Sequence, residues 1–144
     1  MIVRIMHNPF WAQVVALSCA IAHAEGFWVP GARPRRGNNP GDLVADGAVN
    51  GVFYSRIEGF DALAWKVSNL LAGASHTYPL TLTWRAFAER WTGGDHAGSW
   101  CDAIADDLSV DPATTLQAWR LSVPLQDRAQ ASDLQAPDQS DAQA

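Results

Sequence analysis

The chain has only two cysteines, Cys19 and Cys101, too few for a disulfide framework or a cysteine-rich zinc site. They read as two small core side chains, and a bridge between them would need an oxidising compartment. The four histidines, His7, His23, His76 and His96, lack metal-ligand spacing, so neither metal nor cofactor is expected. No apolar run reaches the ~18 residues needed to span a membrane. There is no basic excess either. The net charge of -5 gives no reason to expect nucleic acid as a partner. Part of that charge is local: beyond residue 124, Asp127, Asp133, Asp138 and Asp141 stand against Arg128, leaving a body of 9 basic and 11 acidic residues. Such a nearly neutral body can approach an anionic polymer. No internal repeat and no βαβ alternation is present, which excludes solenoids and doubly wound sheets.

What remains fits one domain of 144 residues with a single core. Seven tryptophans are spread along it, at 11, 28, 65, 84, 91, 100 and 119. Most are expected in the core, with Trp28 the candidate for stacking on a sugar ring because of its neighbours.

The stretch AIAHAEGFW, residues 20–28, has two readings. Ala22-His23-Ala24 fits the small-x-small rule of a secretory cut site. Against that, Asn8 can cap a helix, Pro9 suits its first position, and Trp11, Val14, Ser18, Ile21 and Glu25 recur at helical steps until Gly26 stops them. These capping cues favour a retained helix over a cleaved signal.

The Gly-, Pro-, Arg- and Asn-rich residues 26–43 read as a long loop. Residues 43–55, with Asp-Gly and Asn-Gly signals, read as a small hairpin. After Glu58-Gly59 a helical stripe runs through Phe60, Leu63, Val67 and Leu70 to Gly73. Further helices are expected at 82–91 (capped by Thr81, broken by Gly93-Gly94), at 99–108 with Trp100, Ile104 and Leu108 on one face, and from Asp111-Pro112 to about Leu121, stopped by Pro124. The fold class is α+β, mainly α: several helices and a small β-hairpin around one core. Residues 1–124 form the domain, and 125–144 a disordered acidic tail.

Glu25 stands out chemically. It closes an apolar helix and precedes Phe27 and Trp28. Burial disfavours its anion, and so does the negative end of the helix dipole. A carboxylic acid kept protonated near neutral pH can protonate a leaving oxygen, as a glycosidase acid must. The loop Arg36-Gly37-Asn38-Asn39-Pro40-Gly41-Asp42-Leu43 offers donors and acceptors suited to hydroxyl and acetamido groups. Glu58, in Phe53-Tyr54-Ser55-Arg56-Ile57-Glu58-Gly59, could face Glu25 or simply favour a helix N-terminus.

Together these motifs resemble a lysozyme-like family of phage and bacterial cell-wall enzymes. The similarity rests on an Ile-Ala-x-x-Glu-Gly-Phe helix end, an Arg-x-Asn-Asn-Pro-Gly-Asp-Leu loop, the hairpin, and a Phe-x-Ser-x-x-Glu-Gly-x-x-Ala-Leu helix start. A later segment, LSVDPATTL, carries it on, so that it spans roughly residues 9–116. Departures are Gly37 for a usual Asn, Asp42 for a frequent Asn, Ser109 for Gly and Trp100 for a common Tyr. The resemblance implies a lysozyme-like fold that cleaves the β-1,4 bond between N-acetylmuramic acid and N-acetylglucosamine. Glu25 would be the catalytic acid, and Glu58, then Asp42 or Asp46, the second carboxylate. Trp28, Arg36, Asn38, Asn39, Asp42, Tyr54 and Ser55 would contact substrate. With a second carboxylate the enzyme is a hydrolase; without one, attack by the muramic acid 6-hydroxyl makes it a lytic transglycosylase. The alternatives are a chitinase-like glycosidase and a non-catalytic virion or wall-binding protein. The partners implied are peptidoglycan strands and a virion or secretion-system component, for a monomer acting in the periplasm or cell wall. Delivery by a phage particle or holin is expected over a cleaved signal.

Overall fold

The apolar steps of the first segment wind into α1 (Trp11–Ala24), with Val14, Leu17, Ala20 and Ile21 on its buried face. In this computed structural model residues 8–44 and 46–122 are described. Five more helices follow among them: α2 (Arg33–Arg36), α3 (Arg56–Leu71), α4 (Trp84–Thr92), α5 (Ala97–Leu108) and α6 (Leu116–Leu121). The protein is mainly helical. The core forms where α1 packs on α3 and α5, and α4 on α5. Leu63, Val67, Leu70, Leu71, Trp84, Phe87, Ile104 and Leu116 meet the α1 stripe there, each at most 1% exposed. A fully buried side chain of this size contributes about 1.5–3 kcal/mol, so this shared stripe is the main stabilising element.

The starts of the helices differ from the sequence expectation. Asn8 does not cap α1, which begins at Trp11 with Phe10 at the cap position and no side-chain bond there. Asn8 instead turns the chain before the helix, its Oδ1 accepting from Phe10 N–H at 2.8 Å, and Pro9 lies in that turn. Its Nδ2 donates to Ser68 Oγ at 2.8 Å, tying the entry of α1 to α3. Thr83, not Thr81, caps α4 by accepting from Ala86 N–H, and Thr115 caps α6 in the same way. Asp111-Pro112 forms a turn, and α6 begins four residues later than Pro112. A one-turn α2 occupies part of the expected loop, with Pro34 in its first turn where a missing N–H costs nothing.

The expected hairpin shrinks to a single antiparallel bridge, Val49 with Val52, around Asn50-Gly51. The only other bridge among the described residues joins the two cap residues, Thr83 and Thr115. The hairpin region has two reasons to stay irregular. Asp46 and Asn50 hold positive φ, and its small apolar cluster of Leu43, Phe53 and Ala62 gives strands little to cover. Cys101 is buried, whereas Cys19, expected in the core, is exposed; both are free thiols. The proposed tail at 125–144 and the stop at Pro124 lie outside the described residues.

The region is fastened to α3 at Gly59. A Cβ built there would stand 1.8 Å from the Asn38 carbonyl oxygen. Backbone cannot yield as a flexible side chain does, so Gly59→Ala is expected to cost about 3 kcal/mol or more, the upper range for overpacking. Urea unfolding measures this, and a loss below about 1 kcal/mol would contradict the close approach.

Candidate active site

Glu25 is placed by the way α1 ends. Its N–H bonds to Ile21 O at 2.9 Å. Gly26 then takes a left-handed conformation, φ +73°, which glycine adopts without a steric cost. Gly26 N–H donates to His23 O at 2.9 Å and Phe27 N–H to Ala22 O at 3.0 Å. This pair of bonds is the Schellman arrangement, and it fixes the direction of the chain as it leaves the helix. Phe27 follows into the interior, fully buried. The Glu25 backbone is thus held from both sides.

Its carboxylate points at two tryptophans from distant parts of the chain. Oε1 accepts from Trp91 Nε1 and from Trp100 Nε1, each at 3.0 Å. Trp91 is near the end of α4 and Trp100 is on the buried face of α5. The two indoles stack at 6.1 Å between centroids, with 26° between planes. Phe87 packs against both, and Tyr78 lies 5.4 Å from Trp91. Lys66 sits 5.5 Å from the Trp91 ring centroid and pairs with Asp46 at 2.9 Å. Oε2 of Glu25 makes no hydrogen bond to protein among the described residues.

The Glu25 pKa is raised above the ordinary 4.5. Burial is the largest cause, because a carboxylate loses its hydration there. The Trp100 N–H opposes it, the negative charge of Asp42 reinforces it, and the Trp91 N–H and Arg33 oppose it more weakly. Two donors and a cation therefore stabilise the anion in part, yet burial prevails. The result is an acid held by one oxygen whose other oxygen is free to carry a proton.

The remaining candidates divide into those beside Glu25 and those used elsewhere. Asp42 forms an ion pair with Arg33, and both charges act on Glu25. Glu58 is exposed in the first turn of α3, and its carboxylate makes no ion pair or hydrogen bond among the described residues. Ser55 is the cap of α3, its Oγ accepting from Glu58 N–H. Asn39, expected at the substrate, is fully buried and saturated. Its Nδ2 donates to Leu43 O and Gly51 O, and its Oδ1 accepts from Leu43 N–H. It holds the loop together and presents nothing outward. Asn38 donates to Phe53 O at 3.2 Å, bracing the same loop. Tyr54 is 92% exposed, with its ring in solvent. Trp28 is half exposed and stacks on Phe60, 6.1 Å away. Arg36 is exposed and donates to Gly31 O at 2.9 Å.

Sequence reasoning missed Arg33, Lys66 and the role of Trp91 and Trp100. The one available signal was chemical: a buried indole N–H usually finds an acceptor. Compared with protein-family models, curated proteins and solved structures, the chain matches none of them.

Two measurements test this site without reference to any reaction. Trp100→Phe removes a donor that favours the anion, so the Glu25 pKa is expected to rise further in a carboxyl NMR titration; a fall or no change would contradict the bond. Glu25→Gln keeps an Oε1 acceptor for both indoles and carries no charge. A raised folded pKa means that Glu25 favours the fold fully below about 4.5 and less as pH rises through its folded value. The Gln variant is therefore expected to gain stability on the wild type as pH rises from 4.5 to 8, measured by urea unfolding at each pH. A gap that stays constant across this range would speak against the raised pKa.

Proposed function

We propose that the protein cleaves the β-1,4 bond between N-acetylmuramic acid and N-acetylglucosamine in peptidoglycan, on a lysozyme-like fold, with Glu25 as general acid. One observation carries this reading: a partly buried carboxylic acid of raised pKa, fixed through Oε1 by two indoles and open at Oε2. A glycosidic oxygen reaching Oε2 would receive its proton as positive charge develops on the sugar. The exposed face of Trp28, backed by Phe60, offers a stacking surface for a sugar ring.

For the second carboxylate, Asp42 takes precedence over Glu58. Its charge bears on Glu25, whereas Glu58 stands in solvent. Asp42, paired with Arg33, would stabilise the oxocarbenium-like state or orient water. Asp46 is engaged by Lys66.

Zymography on purified peptidoglycan tests the central assignment. The Glu25→Gln variant is expected to lose about 100-fold or more of its activity, the usual scale for a lost general acid. A variant that keeps full activity would sink the reading. Wild-type activity is expected to fall about tenfold per pH unit above the Glu25 pKa, since only the protonated acid donates. Asp42→Asn is expected to lower activity more than Glu58→Gln. Mass spectra of the products then distinguish reducing ends, made by hydrolysis, from anhydro-muropeptides, made by transglycosylation.

A further inference from the structure

The Arg33–Asp42 ion pair lines a cavity of about 340 Å³, together with Arg36, Asn50, Val44 and Val52, among others. Its floor belongs to neither the tryptophan pair nor the Trp28 surface. We propose that this cavity is a carboxylate-binding subsite, which takes an acid group carried as a substituent on the glycan. The proposal rests on the glycan-cleaving reading above and adds to it what the chain selects for.

Three features of the cavity support it. The first is charge. Two guanidinium groups face one carboxylate, a local positive surplus in a chain of net charge -5. The second is unused donor capacity. Arg36 commits one N–H to Gly31 O, and no other partner for its fork exists among the described residues. Arg33 already pairs with one carboxylate, that of Asp42, the kind of group that a guanidinium fork matches. The third is rigidity. Arg33 and Arg36 are three residues apart on α2 and so share a face of the helix. Pro34 between them is buried, and Arg36 N–H closes the turn onto Ala32 O at 3.0 Å. Arg35 is turned elsewhere, donating to Trp28 O. The two arginines are thus presented on a fixed turn.

Two residues of the cavity, Arg33 and Asp42, also act electrostatically on Glu25. An entering carboxylate would pair with the open fork of Arg36 and share Arg33 with Asp42. The two valines flank it with apolar surface for the carbon that bears the acid. A plain N-acetylglucosamine polymer carries no anion and leaves Arg36 unpaired. Planar forks match carboxylates in a way that lysine does not, so the subsite distinguishes Arg from Lys. The acid could be the lactyl carboxylate of muramic acid or a carboxylate of its stem peptide. The chemistry recognised is the same.

Calorimetric titration of Glu25→Gln protein tests this, since that variant keeps the cavity residues and is expected to turn substrate over slower by about 100-fold or more. Three glycans of equal length serve as probes: neutral N-acetylglucosamine oligomer, alternating glycan with free lactyl carboxylates, and alternating glycan with stem peptides. At least one acid-bearing glycan is expected to bind about tenfold tighter than the neutral one, with the preference weakening as salt increases. Preference for the peptide-free glycan identifies the lactyl group; preference for the substituted one identifies the stem. Adding Arg36→Gln is expected to reduce the preference to under threefold, and Arg36→Lys to restore it only in part. Arg36 is exposed, so these variants are expected to fold, which thermal unfolding checks. Equal binding of all three glycans, or an unchanged preference in Arg36→Gln, overturns the subsite. Binding of none of them overturns it together with the glycan reading, whereas wild-type cleavage of sacculi with equal binding overturns the subsite alone.

Discussion

Glu25 Oε1 receives two indole N–H bonds, one from α4 and one from α5, while its own backbone closes α1. Three helices therefore converge on a single oxygen. Each bond is also a burial event. The indoles can enter the interior because their polar edge is satisfied, and the carboxyl group can do so because it has donors. If the acid were removed outright, two part-buried N–H groups would lose their acceptor. The polar contact and the apolar packing around Phe87 and Tyr78 thus depend on each other.

A second constraint works at the loop. Asn39 satisfies three backbone groups from a fully buried position, and Gly59 lets α3 press against the neighbouring Asn38 carbonyl. These two residues replace the strand pairing that the region lacks. They set the loop geometry that brings Asp42 and Arg33 to the acid. An amide that looks ready for a sugar in the sequence has an internal task instead, because a buried side chain must first satisfy the backbone around it.

Much of the helical layout was legible from apolar spacing. Residues 11–24, 56–71 and 97–108 carry stripes long enough for one face to dominate, and the glycines at 26 and 93 end their helices in left-handed conformations. Cap positions were less legible, since Thr81 and Thr83 differ only in which backbone group comes within reach, and α1 starts after Phe10 with no side-chain cap at all. Glu25 could be singled out because its apolar neighbours are adjacent in sequence. Its indole partners, 66 and 75 residues away, could not, because no local pattern encodes a contact that exists only after the helices pack. Glu58 shows the converse: adjacency to a motif suggested a role, while helix geometry points the residue to solvent.

The separation between Glu25 and its donors also gives the site an order in time. Glu25 leaves the ribosome while Trp91 and Trp100 are still unmade, and at 5–20 residues per second that interval lasts several seconds. During it the carboxyl group has neither of its indole donors. The start of α4 is further tied to Thr115 by a bridge from Thr83, a contact that needs residue 115 to have emerged. The acid in its perturbed state thus belongs to the packed fold, and a nascent chain that has not reached residue 100 does not possess it.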